Sequence, residues 1–403
     1  MRYIGLDVHR DFCEVAILED GALKRHPRVP ARPGALAAFA ASLETTDQVA
    51  LEATGNALAI ARILEAHVER VVIANGAAIK GIGTNRAKTD QLDARTLAQL
   101  LGSGFLPGIW AGDELTRLAR RRMSRRSQLV RERTALKNQI HAVLHRNLVD
   151  RPPASDLFGV KGLRWLDTIA LPADEEETVG SCLRQLRFLA AELARLDQVI
   201  AQTAIQDQRI GLLLTVPGVN LTTAAAFVAA VGDVSRFADP RQLVSYLGLD
   251  PKVRQSGLSP ARHGGISKQG SGGARHALVE SAWVVASAPG PLHAFAERVR
   301  ARRGANVATV AVARKLVVLF WHLLTNGEEY AFGRPSLTAE KRRRLELIAG
   351  APSVRGKRSG GRVYASTEQR KAEEKIAVQA EAAYRQFVAT RRHHTPKNEG
   401  STT

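Results

Sequence analysis

The chain has 403 residues, and its 58 Lys and Arg residues outnumber its 39 Asp and Glu residues, which gives a formal net charge of +19. Apolar residues make up 45% of the sequence, which is enough for buried cores and excludes a wholly disordered basic protein. The two cysteines, Cys13 and Cys182, exclude a disulfide framework and a cysteine-rich zinc module. Such an excess of positive charge favours a polyanionic partner, usually a nucleic acid.

Neither secretion nor membrane insertion is favoured by the sequence. Asp7 lies too early for the apolar stretch of a secretory signal peptide. The most apolar late stretch, residues 307–324, contains Arg314, Lys315 and His322, which makes it a poor membrane span. We therefore expect a soluble, reduced, intracellular protein that does not associate with membranes.

Residues 1–111 carry the signals of a mixed sheet with helices on its faces. Short apolar runs and a turn signal at 19–21 predict strands over 2–8, 12–18, 23–29, 48–52 and 70–74. Helical spacing of apolar residues covers 33–43, 56–67 and 89–101. Three antiparallel strands followed by alternating helix and strand predict an α/β domain.

Residues 112–209 have a different composition and predict an arm of two long helices. The first helical pattern, up to about residue 147, is crowded with arginine, and a loop is expected over 150–180. The second helix repeats apolar residues at a spacing of three and four, which predicts a coiled coil with the basic helix or with another subunit. Its apolar stripe consists of Leu186, Leu189, Leu193, Leu196 and Ile200.

The remaining chain divides at about residue 332. Residues 210–332 alternate Ala/Val/Leu-rich helical patterns with Gly, Ser and Pro loops, notably over 251–273, and predict a mainly α-helical domain. Residues 333–403 are polar and basic, with one helical pattern over 368–388. We expect a largely flexible tail there.

Four carboxylates stand at positions where charge is costly or shared. Asp7 lies within the first strand and Glu52 ends the fourth, while Asp90 and Asp93 are three residues apart on one helical face. Acidic groups in apolar strands cost free energy unless they are paired or bound to cations. Each also has an ordinary explanation alone: Asp90 as a helix-start carboxylate, for example, and Asp93 as the ion-pair partner of a neighbouring cation. Together they make an oxygen-ligand set suited to Mg²⁺ or Mn²⁺.

The order strand Asp, strand Glu and helical Asp-x-x-Asp resembles the RuvC-like branch of the RNase H fold. More closely, it resembles the DEDD transposases of the insertion sequence 110 family. The likeness is carried by residues 4–9, 52–55 and 88–95, and it extends to about residue 330, leaving out the basic tail. It implies an RNase H-like first domain in which Asp7, Glu52, Asp90 and Asp93 are catalytic and bind the metal.

Two motifs of the third region add to this resemblance. Residues 213–219, before an Ala-rich helix, are similar to a helix-hairpin-helix, in which the backbone at Gly218 would approach a phosphate, although Pro-Gly is also an ordinary helix connection. Residues 254–257 and 263–270 resemble the transposase domain of the same family. The resemblance implies a serine that attacks a DNA phosphate and becomes covalently linked to the strand, and Ser256 matches that position. Because the chain departs from the commoner Ser-Gly-Gly pattern, alternatives remain: Ser259, Ser267 and Ser271.

The resemblance implies a transposase, a site-specific DNA recombinase of the prokaryotic cytoplasm and nucleoid that excises and inserts an insertion sequence. It also implies an element-encoded guide RNA, a homo-oligomer (dimer or tetramer) and a composite site joining the serine to the carboxylates. We expect phosphate contacts from Arg254, Arg262 and Lys268. The arm would contact nucleic acid through Arg117, Arg121, Arg122, Arg125 and Arg126.

Two other functions are compatible with the residues. A RuvC-like, structure-selective endonuclease would hydrolyse DNA junctions with the carboxylates and would not need Ser256. A non-catalytic basic nucleic-acid-binding protein would need neither group. A covalent protein–DNA product separates the recombinase from the nuclease, and any cleavage with Mg²⁺ or Mn²⁺ excludes the binding protein.

Overall fold

A computed structural model describes residues 1–79, 89–257, 259–353 and 365–393. Lys88, the first residue of the motif over 88–95, and Leu258, which lies between the candidate serines Ser256 and Ser259, are outside this part of the chain. The chain forms two compact units, one from Met1 to Asp113 and the other from Glu114 onwards. They are described separately below.

The first unit is built on a five-stranded mixed sheet with the strand order β3-β2-β1-β4-β5. β1 pairs antiparallel with β2 and parallel with β4, so the antiparallel half and the parallel half meet at β1. The predicted mixed sheet and its strands are confirmed, with ends shifted by about one residue. The elements are β1 (Arg2–Val8), β2 (Phe12–Glu19), β3 (Ala22–Pro30), α1 (Pro33–Ala41), β4 (Gln48–Glu52), α2 (Ala57–Leu64), β5 (Arg70–Ala74), α3 (Gly76–Ile79) and α4 (Asp90–Gly102).

Alternation along β1 sends its side chains to two different layers. Ile4 and Leu6 are fully buried in a core shared with α1 and α2. Gly5 lies on the other face, under α4, where a Cβ atom would lie 2.0 Å from the carbonyl oxygen of Ala94 and 2.7 Å from the backbone nitrogen of Ala98. Only glycine allows this approach, which brings α4 close to β1 just after its first turn.

The second unit is mainly helical, as the sequence predicts, with one small two-stranded sheet in a segment expected to be a loop. Its first elements are α5 (Glu114–Arg146), α6 (Val160–Leu166), α7 (Ala173–Ile205), α8 (Gln208–Leu214), α9 (Leu221–Val231), α10 (Pro240–Tyr246), β6 (Pro251–Arg254) and β7 (Arg262–Ile266). The later elements are α11 (Gly272–Val285), α12 (Pro291–Arg303), α13 (Ala305–Asn326), α14 (Pro335–Ala349) and α15 (Thr367–His393).

The two long helices of the predicted arm pack on each other within this chain. Arg126 donates to Asp197 at 2.6 Å, and further along the pair the thiol of Cys182 contacts Gln139 at 3.3 Å. Residue numbers rise along α5 as they fall along α7, so the pair is antiparallel. Both helices also pack against α9 in the same unit. α7 begins at Ala173, inside the segment 150–180 that was expected to be a loop. The acidic residues of its first turn interact favourably with the positive, N-terminal end of the helix dipole.

α13 is the one helix of the described residues that is long and apolar enough to cross a membrane by length and composition. Leu316, Val317 and Phe320 on this helix are fully buried in the main core of the second unit. The ring of Phe320 meets that of Phe227 on α9 edge-on, with centroids 5.0 Å apart. The buried apolar side chains of this helix therefore belong to the core of the second unit.

Candidate metal centre and serine loop

Asp7 and Glu52 lie near the C-terminal ends of neighbouring parallel strands. The register pairs Gly5 with Ala50 and Leu6 with Leu51, so Asp7 is next to Glu52 along the same ladder. Because the period of a strand is two, both carboxylates point to the face that α4 covers. The sequence predicts that both carboxylates lie on strands, and the parallel register places the two carboxylates side by side.

α4 brings the other two carboxylates to this face. The Thr89 side chain caps the helix by accepting from the backbone nitrogen of Leu92 at 3.3 Å. Asp90 and Asp93 follow in the first turn, and both are partly buried. The close approach of α4 at Gly5 thus determines how far these carboxylates lie from β1.

His9 joins Asp7 to Asp90. Its Nε2 atom lies 3.0 Å from Oδ2 of Asp7 and 3.3 Å from Oδ2 of Asp90. The side chain of Asp7 is nearly buried, and this desolvation raises the pKa of its carboxyl, opposed by His9 and reinforced by Asp93 and Asp90. One ligand atom from each of Asp7, His9 and Asp90 fits within a group no more than 4.8 Å across.

Glu52 lies against the start of α3. A Cβ atom at Gly76 would be 1.9 Å from Oε1 of Glu52, so the glycine leaves the space that the carboxylate occupies. Of the predicted ligands, the described structure brings Asp7 and Asp90 together through His9. Asp93 lies one helical turn further on, and Glu52 lies on the adjacent strand of the same face. The carboxylate oxygens are donors that fit Mg²⁺ or Mn²⁺.

Several residues that shape this site were not among those predicted from the sequence. Asn56, just after the Glu52 motif, donates from Nδ2 to the carbonyl oxygen of His9 at 3.2 Å and accepts from Thr54 at 2.9 Å. Glu14 lies opposite Asp7 on β2, is buried, and accepts from Arg28 at 2.7 Å. His9 belongs to the motif that carries the family likeness, and its place two residues after a strand carboxylate was the available signal.

The serine loop connects β6 to β7. Ser256 and Ser259 are exposed there, and within the described residues neither hydroxyl has a hydrogen-bond partner. Ser267 instead donates to Oδ1 of Asp250 at 2.6 Å, and Ser271 caps α11 by accepting from the backbone nitrogen of Ala274. Of the four candidate serines, Ser256 and Ser259 therefore have accessible hydroxyls, whereas Ser267 and Ser271 have structural roles.

Two predicted phosphate ligands flank this loop as direct neighbours. Arg254 on β6 pairs with Arg262 on β7, and both side chains are exposed. Like charges opposite each other in a two-stranded sheet are destabilising unless an anion lies between them. Lys268, also exposed, follows β7 with a backbone φ of 59°, an unusual left-handed conformation for a residue with a Cβ atom.

Most of the predicted arm cations contact the protein itself. Arg117 and Arg121 pair with Glu114 at 2.8 and 3.0 Å. Arg122 donates to Thr203, and Arg126 binds Asp197 through two hydrogen bonds. Arg125 is exposed. The contacts of Arg122 and Arg126 hold α5 on α7, whereas the ion pairs of Arg117 and Arg121 lie within α5. Together they leave less free charge on this helix than its composition suggests.

A groove of about 920 Å³ in the second unit collects several polar and basic groups. Asn220 and Ser271, the caps of α9 and α11, line it together with Arg131 and His276. Helix N-termini and arginine both favour phosphate. Gly218 has a different explanation: a Cβ atom there would lie 2.7 Å from Cγ2 of Val285, so close packing on α11 requires the glycine.

Two transposase models match the chain. The DEDD transposase model of IS110 covers residues 4–147, which include all four predicted carboxylates, and the transposase IS116/IS110/IS902 family covers 211–297, which include the serine loop. The chain belongs to this family of transposases. The resemblance read from the motifs is confirmed, and α14 and α15 lie outside both matches.

Curated relatives include two proteins named as transposases and one named as a gene-inverting protein. A probable family 20 transposase of Pseudomonas aeruginosa is 33% identical over 52% of this chain and 63% of that protein. The transposase for insertion sequence element IS1111A of Coxiella burnetii is 27% identical over 61% of this chain and 69% of its own length. A pilin gene-inverting protein of Moraxella bovis is 27% identical over 71% of this chain and 82% of its own. The chain thus spans less than two thirds of the Pseudomonas protein.

Proposed function

We propose that the protein is a DNA recombinase that excises and inserts an insertion sequence. The observation that carries the proposal is the meeting of Asp7 and Asp90 at His9, with Glu52 and Asp93 on the same face of the sheet. A divalent metal held there, Mg²⁺ or Mn²⁺, would stabilise negative charge on the phosphate during strand cleavage. The name of the pilin gene-inverting relative favours strand exchange over simple hydrolysis.

Ser256 is the proposed nucleophile, and Ser259 is the alternative that its exposure supports. The serine oxygen would form a bond to the DNA phosphorus while the bond from phosphorus to one deoxyribose oxygen breaks. The serine loses its proton, and the leaving sugar oxygen gains one. Attack by the sugar oxygen of another strand would reverse these steps and release the serine, so the energy of the phosphodiester bond is retained.

The exposed pair Arg254 and Arg262 would hold the phosphate beside the serine. The groove bordered by the caps of α9 and α11 would take part of the nucleic-acid backbone, together with Lys268 and Arg125. An element-encoded guide RNA, a homo-oligomer, and a place in the prokaryotic cytoplasm and nucleoid complete the proposal. They follow from the family, and the net charge of +19 supports a nucleic-acid partner.

A covalent-adduct assay tests the function. Full-length protein, its co-purified RNA and DNA spanning the element ends are incubated with Mg²⁺, and protein-linked DNA is measured on denaturing gels. Wild type should form an adduct, Ser256→Ala should not, and Ser267→Ala serves as the matched serine control that retains it. Loss in Ser259→Ala alone would move the nucleophile to that residue. Cleavage without any adduct would instead support a hydrolysing endonuclease.

The guide RNA has its own test. RNA that co-purifies with the protein is sequenced and removed with ribonuclease, and recombination is measured before and after the element-derived RNA is added back. The proposal expects recombination to depend on that RNA. Recombination that is unchanged after complete removal would exclude a guide.

A further inference from the structure

His9 occupies the position of a metal ligand. We propose that His9 binds the divalent metal directly through Nε2, together with Asp7 and Asp90, so that the centre has a nitrogen donor besides its carboxylates. The inference rests on the metal centre of the proposed function and adds a ligand that the four-carboxylate pattern does not contain.

The distances support a shared ion. Two neighbouring ligands of an octahedral ion lie about 2.9 Å apart when each is about 2.05 Å from the metal, a typical distance for Mg²⁺. Nε2 of His9 lies 3.0 Å from Oδ2 of Asp7 and 3.3 Å from Oδ2 of Asp90. Both separations match adjacent ligand positions, so a single ion can be reached by all three atoms with small adjustments.

The chain around His9 holds the imidazole in place. The backbone nitrogen of His9 donates to the carbonyl oxygen of Phe12 at 2.9 Å, and the two rings pack with centroids 4.8 Å apart. The carbonyl oxygen of His9 accepts from Asn56, which follows the Glu52 motif. A ligand position needs such support, because the neighbours of a ligand set its orientation and basicity. The residue directly after the Glu52 motif therefore also positions His9.

A nitrogen donor changes which metal the centre prefers. Both Mg²⁺ and Mn²⁺ prefer oxygen ligands, but Mn²⁺ is a first-row transition metal at the weak end of the Irving–Williams series and accepts a nitrogen donor more readily than Mg²⁺ does. His9→Ala should therefore weaken Mn²⁺ binding about tenfold, with a smaller effect on Mg²⁺. His9→Asp supplies oxygen in place of nitrogen and should shift the preference towards Mg²⁺. Comparing the two variants shows whether the nitrogen donor itself matters or only the presence of some ligand at this position.

The deciding measurement is pulsed electron paramagnetic resonance of Mn²⁺ added to the full-length protein without nucleic acid. Nitrogen-14 bound to Mn²⁺ modulates the electron spin echo. Wild type should show this modulation, His67→Ala in the same unit should retain it, and His9→Ala and His9→Asp should lose it while Mn²⁺ still binds. Isothermal titration with Mn²⁺ and with Mg²⁺ supplies the affinities, and circular dichroism shows that the variants fold.

The outcomes separate this inference from the proposed function. Mn²⁺ bound in the wild type without nitrogen modulation, or modulation that persists in His9→Ala, would overturn the ligand role of His9 and leave the carboxylate centre intact. Mn²⁺ binding that is unchanged in Asp7→Asn would overturn both. Nitrogen modulation in a protein that forms no DNA adduct would support His9 as a ligand and contradict only the recombinase.

Discussion

Glu381 on α15 accepts a hydrogen bond from Nδ1 of His293 on α12, with the two atoms 3.0 Å apart. The same carboxylate accepts from the backbone nitrogen of Gly290, the residue that precedes α12, and from Arg385. The polar segment after residue 332 was expected to be flexible, whereas its described residues form α14 and α15. Glutamate side chains attach α15 to α12 and, through Glu373 and Ser336, to the first turn of α14.

The docking of α15 should depend on Glu381. Burial acts to raise the pKa of this carboxyl, but hydrogen bonds from Arg385, His293 and Gly290 outweigh it and lower the pKa to about 2. Glu381→Gln should therefore make the free energy of packing α15 on α12 less favourable by about 1 kcal/mol at pH 7. The measurement is amide hydrogen exchange, which should become faster over residues 367–393.

The pH dependence gives a second check. Because the pKa is lowered in the folded protein, the ionised carboxylate stabilises the fold at pH values above 4.5, its ordinary pKa. This contribution is lost as the pH falls from 4.5 towards 2. The difference between wild type and Glu381→Gln should shrink over that range. Glu374→Gln is the matched control, because its partner Arg334 lies 3.5 Å away at the surface. Equal effects of the two variants would contradict the role of Glu381.

Lys341 should make stability rise at alkaline pH. Its Nζ atom donates to the carbonyl oxygens of Leu214 and Val216, at the start of the hairpin-like turn, and burial lowers its pKa to about 8. The unfolded chain therefore binds more protons between pH 8 and 10.5, and the contribution of Lys341 to the free energy of unfolding rises over this range.

Urea denaturation tests this prediction. Relative to Lys341→Met, wild type should gain about 1–2 kcal/mol between pH 7.5 and 10. Arg344→Met, an exposed cation on the same helix, should show no such difference. A difference between wild type and Lys341→Met that stays constant with pH would mean that Lys341 titrates normally.

Gly5→Ala should damage the metal centre through α4. The added methyl group would collide with the backbone of α4 at Ala94, so the helix and its carboxylates must move away from Asp7. We expect a loss of about 3 kcal/mol in stability and weaker Mn²⁺ binding, measured by thermal unfolding and calorimetric titration. Gly55→Ala is the control, because nothing lies within 4 Å of a Cβ atom there. Tight Mn²⁺ binding in Gly5→Ala would show that the position of α4 is unimportant.

Arg254→Gln should stabilise the protein and weaken its hold on DNA. The substitution removes the repulsion from Arg262 on the facing strand, which we expect to add about 0.5 kcal/mol to the free energy of unfolding. It should also lower the magnitude of the salt slope of DNA binding by about one, since one phosphate contact is lost. Binding measured from 50 to 200 mM salt checks this, and an unchanged slope would remove Arg254 from the interface.

Local patterns in the sequence were sufficient for much of the architecture. Short apolar runs predicted the strands of the mixed sheet, and helical spacing of apolar residues predicted α4. The order of Asp7, Glu52, Asp90 and Asp93 indicated a family that the comparisons confirm. These features are readable because each depends on neighbours within a few residues, where strand and helix periods are fixed by the backbone.

Contacts between distant parts of the chain were decided only by the tertiary structure. The sequence left open whether α7 pairs with α5 or with another subunit, and the structure pairs them through contacts such as Arg126 with Asp197. The sequence did not indicate that His9 lies close to Asp90, because that contact requires the approach of α4 at Gly5. The sequence alone thus determined which residues carry charge and which segments form helices and strands. Which charges meet depended on packing, since side chains far apart in sequence come together only when the layers of the fold close on each other.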